Sequence, residues 1–340
     1  MHLHSYRFCA NPKATLLAAV LFLAVSCAEK APPRSETKLA IRGEVNKPLS
    51  LTVEDLRSFP SFQLSRISLL EEKKNPSDPE KLVSEAAYRG VLLRDLLERA
   101  EIKHTRKWEP GVFVHVRGTN GKEDVFSFGE IFYSSIGRSI LLATERDGKQ
   151  VTAPDGIGQL IVSTDLRGGR WMTGVREIQV ERVDVELKAY EDQSNSIVRS
   201  PSSSLALKDA SGKNEEIRLQ HLQVLPSLHV PAAVMVGECE GMRGVFSFDG
   251  CKLSDLLAAH GARWGEGASG HYVVVRSEDG FCATFSFGEL FNSRLDNNIV
   301  IAYMKNGKLL GPDDAIAMSV AAEDSTGGRS VRRISDIEVR

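Results

Sequence analysis

The chain has 340 residues, of which 42% are hydrophobic and 26% are charged, a composition typical of soluble globular proteins. Its 43 basic and 45 acidic residues give a formal net charge of −2 at pH 7. This balance lacks the concentrated positive charge that binding to nucleic acid or another polyanion requires. The length favours two domains.

Residues 1–26 predict a signal peptide. Positive charge precedes an uninterrupted small or apolar run over 14–25, which is short of the roughly 20 residues that span a bilayer. The sequence Ala24-Val25-Ser26-Cys27 resembles the lipobox of bacterial lipoproteins, although its first residue is smaller than usual. This resemblance implies an acylated Cys27 as a membrane anchor, with 27–37 as a polar tether. A plain signal peptide with a nearby cysteine is the alternative.

An acylated Cys27 would make this an exported protein of the cell envelope. It would be held by lipid on the periplasmic side or the outer surface of a membrane.

The rest of the chain contains the same pattern twice. Four segments of the first half recur in the same order in the second half, at offsets of 159, 160 or 166 residues. The pairs are Leu39–Pro60 with Leu205–Pro226, Gly90–Leu97 with Gly250–Leu257, Phe126–Glu130 with Phe285–Glu289, and Gly168–Arg170 with Gly327–Arg329. Such order indicates a duplicated domain. We predict domains over 38–187 and 205–340, joined by a Ser-rich linker over 188–204.

In chain order, the first repeat predicts short strands interleaved with short helices. Alternating apolar and polar residues indicate strands, and apolar residues at helical spacing indicate helices. The charged stretch 71–81 predicts a solvated loop, and 118–121 a hairpin turn. The predicted strands are 39–45, 49–53, 112–116, 125–128, 140–143, 160–162 and 178–180, and the predicted helices are 54–58, 92–100 and 129–132. Without regular βαβ alternation, this order predicts an α+β fold with mixed β-sheets and short helices.

The repeated motifs resemble the molybdopterin-binding domain of the sulfite oxidase family. The resemblance is carried by Leu51–Pro60, Gly90–Leu97, Asn120-Gly121 and Gly168–Ile178, with a second set between Ile217 and Ile337. It implies two tandem sulfite-oxidase-like domains. It also implies molybdopterin as a cofactor and oxidoreductase activity wherever the metal site is intact.

The metal site is where this chain departs from the family. Catalytic members hold molybdenum through a cysteine thiolate, a soft ligand suited to that metal, between the landmarks equivalent to Pro60 and Gly90. The first repeat has no cysteine in this window, and the second has only Cys239. Glu238 and Glu240 flank Cys239, and both would repel a thiolate and the pterin phosphate. Cys239 is therefore the candidate metal ligand, in unfavourable surroundings.

The remaining cysteines leave two interpretations open. An exported compartment permits a disulfide, and Cys239 with Cys251 would close a short loop. Alternatively Cys251, which stands in the place of Val91, is a small buried hydrophobic residue. The scattered spacing does not favour a zinc or haem site.

Arg170 and Arg329 are the candidate cofactor-binding residues. Each follows two glycines, which allow backbone N–H groups to approach an anion; a structural turn is the alternative. The adjacent carboxylates at 313–314 and 323–324 lie in predicted loops, where we expect them to be solvated at the surface.

Three functions follow from these residues. The favoured one is a membrane-anchored lipoprotein whose two domains have lost the metal site, bind no cofactor and serve in binding or assembly. The second is a molybdenum-cofactor oxidoreductase that uses Cys239 and passes electrons to a separate redox protein. The third is a small-ligand-binding protein with its site at the cleft between the domains. The predicted partners are the membrane, through the lipid anchor, and a redox or assembly protein, but not nucleic acid.

Overall fold

The computed structural model describes residues 37–71, 73, 77–104, 111–153, 156–184, 202–237, 241–265, 267–295 and 299–340. Residues from Thr37 to Arg340 form one compact unit. The helices in the described ranges lack the length and hydrophobicity of a membrane-spanning segment. The predicted signal peptide, Cys27 and nearly all of the tether and the linker lie outside the described residues.

The first repeat forms one ten-stranded mixed sheet. Its spatial order is β2-β1-β10-β9-β7-β4-β3, with β5 between β10 and β6, and with β8 on β7. The β1–β10 pair is parallel, whereas β10 pairs with β5 and β9 in antiparallel register. The elements are β1 Leu39–Gly43, β2 Leu49–Leu51, α1 Val53–Leu56, β3 Phe62–Leu70, β4 Leu82–Leu92, α2 Leu93–Ala100, β5 Val112–Gly118, β6 Glu123–Ser127, α3 Phe128–Phe132, β7 Ile140–Arg146, β8 Lys149–Gln150, β9 Ile157–Val162 and β10 Met172–Arg182.

The second repeat has the same element order but two five-stranded sheets. One sheet runs β12-β11-β20-β15-β16, and the other runs β13-β14-β17-β18 with β19 on β17. The elements are β11 Ser204–Lys208, β12 Asn214–Arg218, α4 Leu219–Gln223, β13 Ser227–Gly237, β14 Gly241–Lys252, α5 Leu253–Ala259, β15 Tyr272–Ser277, β16 Cys282–Ser286, a π-helical turn Gly288–Asn292, β17 Ile299–Lys305, β18 Lys308–Leu309, β19 Met318–Ala321 and β20 Ile334–Val339.

The sheets differ because β10 and β20 begin at different points. In the first repeat Trp171 fixes the start of β10. Its indole N–H donates to the Val162 carbonyl at 3.1 Å, and its ring packs edge-on against Tyr88. The second repeat has Ser330 at this position, and β20 begins only at Ile334. Where Met172 pairs with Leu160 in the first repeat, the Val331 N–H of the second repeat donates to the Ser319 hydroxyl at 2.9 Å, so a side chain takes the place of the strand pairing.

The described residues confirm the predicted α+β fold with mixed sheets and short helices. The leucines predicted to face inward on α2 are buried: Leu93, Leu96 and Leu97 are at most 1% exposed, and so are Leu253, Leu256 and Leu257 on α5. Each helix therefore packs its apolar stripe on its own sheet. The hairpin turn 118–121 joins β5 and β6 as predicted.

Candidate functional site

The two copies of Phe-Ser-Phe-Gly-Glu meet inside the molecule. Ser127 caps α3, because its Oγ accepts from the Glu130 backbone N–H at 3.0 Å. The same hydroxyl donates to Oε1 of Glu289, in the other repeat, at 2.6 Å. Ser286 mirrors this arrangement: its Oγ accepts from the Glu289 N–H at 3.0 Å and donates to Oε2 of Glu130 at 2.6 Å. The serine of each motif therefore donates a hydrogen bond to the glutamate of the other motif.

Arg170 completes one half of this cluster. Its Nε and Nη2 donate to the two carboxylate oxygens of Asp165 at 2.9 and 2.6 Å. Its Nη1 donates to Glu130 and, at 3.4 Å, to Ser286 of the second repeat. The guanidinium carbon lies 4.8 Å from the centre of the Phe126 ring. The side chain is 0% exposed, as are its two carboxylate partners.

Arg329 repeats the arrangement in the other half. Its Nε and Nη2 donate to Asp324 at 2.8 and 2.7 Å. Its Nη1 donates to Glu289 at 2.7 Å and to Ser127 of the first repeat at 3.1 Å. The guanidinium carbon lies 4.8 Å from the centre of the Phe285 ring. The Arg329 side chain is 1% exposed.

The glycine of each motif makes room for the arginine of the other repeat. A Cβ added to Gly129 would lie 2.1 Å from Nε of Arg329, and one added to Gly288 would lie 2.2 Å from Nε of Arg170. Both distances are far inside van der Waals contact. The repeated Gly in Phe-Ser-Phe-Gly-Glu is thus required by a close approach across the interface. We call ten residues of this interface the repeat cluster: Ser127, Gly129, Glu130, Asp165 and Arg170 with Ser286, Gly288, Glu289, Asp324 and Arg329.

Charge in the repeat cluster is unbalanced. Its four carboxyl groups surround two guanidinium groups. Burial raises the pKa of Glu130 to about 7; Arg170 opposes this rise, and Glu289 adds to it. Burial likewise raises the pKa of Asp165 and of Asp324. A proton on Glu130 reduces the uncompensated negative charge.

Arg170 and Arg329, the predicted cofactor-binding residues, therefore form buried ion pairs with carboxylates of the protein itself. The prediction that residues 323–324 are both solvated is wrong for Asp324, whose side chain is 2% exposed. It is also wrong for Asp314, which is 7% exposed and pairs with Arg332. In both cases an arginine of the same repeat compensates for the burial of the carboxylate.

In the first repeat, β3 and β4 occupy most of the window in which the family holds its metal. No cysteine occurs in 61–89. A groove of about 430 Å³ opens beside this window. Its two arginines already face carboxylates: Arg57 pairs with Glu54 at 2.7 Å, and Arg89 lies 3.7 Å from Glu145. A phosphate bound here would meet negative as well as positive charge.

In the second repeat, the corresponding window is the β13–β14 hairpin. Its strands pair as far as Gly237 and Gly241, and Cys239 between them lies outside the described residues. Cys251 is a buried free thiol in the core of the second repeat, so it is not half of a disulfide. Its burial raises the pKa of the thiol to about 12, which makes it an inert core residue. Across the described ranges, no group of three or more His, Cys, Asp or Glu side chains is arranged to hold a metal ion.

Comparison with known proteins identifies the class. The profile of the oxidoreductase molybdopterin binding domain matches residues 28–187 and again 202–340, so the chain belongs to this family. Among solved structures, it is similar to the sulfane dehydrogenase SoxCD from Paracoccus pantotrophus. The identity is 14%, the match covers 87% of this chain and 77% of that chain, and the TM-score is 0.34. No curated protein matches it.

In the first repeat and in the repeat cluster, the described side chains do not fit the cofactor that the family implies. The first repeat has no thiolate to offer, and the arginines at the groove and in the repeat cluster are paired with carboxylates. A molybdopterin phosphate needs uncompensated cationic donors. The sequence did not identify Ser127, Glu130, Ser286 and Glu289 as the residues that bind the two arginines. Their occurrence in both copies of the repeated motif was the one indication of this role.

Proposed function

We propose that this protein is an exported, membrane-anchored lipoprotein in which two molybdopterin-binding-type domains form one non-catalytic unit for binding or assembly. The observation that carries the proposal is the double pairing of the fully buried Arg170 and Arg329 with carboxylates and with serines of the opposite repeat. These basic groups stabilise the contact between repeats and are not available to a pterin phosphate. The absence of a cysteine from the metal window of the first repeat also supports a non-catalytic role.

The experiment is a cofactor assay on protein produced in a host that makes molybdopterin. Molybdenum is measured by mass spectrometry, and pterin by the fluorescence of its oxidised extract. Three forms are compared: wild type, Cys239→Ser and Cys251→Val. Cys251→Val is the matched control, because it removes a cysteine outside the window and restores the residue type of Val91. We expect substoichiometric molybdenum and no pterin in all three.

Family membership and the position of Cys239 favour one alternative, a molybdenum-cofactor oxidoreductase with Cys239 as the metal ligand. Under that alternative, wild type and Cys251→Val hold stoichiometric molybdenum, and Cys239→Ser loses it. That pattern would overturn the non-catalytic proposal.

The membrane anchor has its own test. Because two or more acyl chains give durable attachment, we expect the wild type to sediment with membranes and to incorporate a labelled fatty acid. Cys27→Ser should be soluble and unlabelled. An unlabelled, soluble wild type would support a plain signal peptide instead.

A further inference from the structure

The second repeat contains a cleft at a place where the first repeat is filled. The cleft measures about 370 Å³ and lies between the β11–β12 turn, the end of α5 and the ends of β15 and β20. Its apolar floor is formed by Leu207, Leu257, Phe287 and Val339, each at most 8% exposed. This volume is within the range of small-molecule sites.

In the first repeat, two buried side chains fill the position that corresponds to the cleft. Val45 and Ile102 form an isolated antiparallel bridge and are 3% and 5% exposed. Backbone hydrogen bonds tie the turn to the end of α2: Asn46 N–H donates to Glu101 O at 2.7 Å, and Lys103 N–H donates to Glu44 O at 2.9 Å. The turn and the helix end are therefore packed together.

The second repeat has smaller residues at both positions. At the offsets of the duplication, Val45 corresponds to Ser211 and Ile102 to Ala262. Each segment bonds within itself: Asp209 Oδ1 accepts from the Ser211 backbone N–H at 2.9 Å, and Ala262 N–H donates to Leu257 O at 3.0 Å. Small side chains and separate hydrogen bonding thus open the cleft.

The walls of the cleft in the second repeat also carry polar residues that the first repeat lacks. His260 and His271 replace Ala100 and Val112, and both line the cleft. His271 donates from Nδ1 to the Arg340 carbonyl at 3.0 Å. In the neutral ring its Nε2 is consequently an acceptor. The exposed Arg263 supplies a cationic donor at the rim. The carboxylate of Asp209, which also lines the cleft, is engaged within its own turn by the backbone N–H and hydroxyl of Ser211 and the backbone N–H of Lys213.

His260 is held differently. Its Nδ1 donates to the Leu256 carbonyl at 2.9 Å, and its Nε2 lies 3.5 Å from Glu215. It is thus a fixed wall of the cleft, whereas His271 offers an acceptor to a ligand.

We propose that this cleft binds a small organic anion with an apolar body. The body contacts the apolar floor, and the anionic group contacts the Arg263 guanidinium, which suits carboxylates geometrically. Where the ligand also carries a hydrogen-bond donor, Nε2 of His271 accepts from it. The apolar floor favours an organic body over a hydrated inorganic ion. The cleft follows the C-terminal end of α5, whereas the family's metal window precedes its N-terminal end, so the inference is independent of Cys239.

The test is binding of benzoate, phenylacetate and hexanoate to the full chain, measured by ligand-observed NMR and calorimetry. Benzamide and benzylamine are the neutral and cationic controls. We expect at least one carboxylate to bind about tenfold more tightly than either control. Arg263→Gln should weaken that carboxylate about tenfold and leave benzamide unchanged.

The filled variant Ser211→Val/Ala262→Ile introduces the residues of the first repeat. We expect it to lose binding while keeping the wild-type melting temperature or exceeding it, because the same residues already pack in the first repeat. If the filled variant does not fold, Arg263→Gln decides alone. Failure of all three carboxylates to bind, or unchanged binding in Arg263→Gln or in a folded filled variant, would overturn the proposal.

Discussion

The repeat cluster and the end of α5 show opposite relations between the two halves of the chain. In the cluster both repeats supply the same residue types in the same roles. The serine of each repeat donates a hydrogen bond to the glutamate of the other repeat, and the arginine of each repeat donates to the serine of the other. At the helix ends the repeats differ: Val45 and Ile102 are replaced by Ser211 and Ala262. In these two regions, identical residues accompany contact between the halves, and divergent residues accompany a surface that each repeat forms by itself.

The largest expected effect comes from breaking the buried ion pairs. Arg170→Ala leaves Glu130 and Asp165 buried without a cation, which costs about 3–5 kcal/mol in the free energy of unfolding. Arg329→Ala should cost a similar amount, because its contacts are the same. The measurement is denaturant unfolding. Arg57→Ala, which removes a pair that is about 70% exposed, is the control and should cost below about 1 kcal/mol.

Equal small effects at Arg170, Arg329 and Arg57 would contradict the assignment of the cluster. They would mean that the buried pairs contribute no more than a surface pair.

A smaller effect is expected at the glycines. Gly129→Ala and Gly288→Ala each place a methyl group against an arginine of the other repeat, and overpacking of this kind costs about 1–3 kcal/mol. Gly311→Ala is the control, because a Cβ there meets nothing within 4 Å. Thermal unfolding compares the three. Wild-type stability in both interface variants would show that the repeats do not approach each other this closely.

A pH dependence of stability should follow from Glu130. Its pKa is raised from 4.5 to about 7, so the folded state binds a proton more tightly than the unfolded state does. The stabilisation is complete below about pH 4.5 and is lost as the pH rises through about 7. Asp124, whose pKa burial raises to about 6, acts in the same direction.

Glu130→Gln mimics the protonated carboxyl and should flatten the pH dependence of the unfolding free energy between about pH 5 and pH 8, by about 2–3 kcal/mol. Glu98→Gln, at an exposed site, should leave it unchanged. Parallel curves for wild type and Glu130→Gln would show that Glu130 does not titrate in this range.

The smallest effect is expected at Cys251→Val. Because Val91 occupies the matching core position, the exchange should change the free energy of unfolding by less than about 1.5 kcal/mol. Denaturant unfolding checks this. A larger loss would show that the cores of the two repeats are not interchangeable at this position.

Sequence patterns predicted the fold better than the contacts within it. The leucine spacing of α2 and the hairpin turn 118–121 are local signals, and both predictions are confirmed. The long β3 strand was not predicted, because Phe62–Leu70 contains polar residues at irregular spacing and is only partly buried. Asp324 was expected to be solvated because it lies in a predicted loop, and its partner Arg329 was assigned to a cofactor anion instead. Partners that lie more than 150 residues apart, such as Ser127 and Glu289, require the folded chain.

The most direct test of the central claim is to cut the chain between its repeats. A specific protease site is placed within 188–201, and the cleaved protein is examined by size-exclusion chromatography. The two fragments should co-elute in the wild type and separate when Arg170 and Arg329 are both replaced by alanine. If the wild-type fragments separate on cleavage, the repeated residues do not hold the halves together, and the account is contradicted.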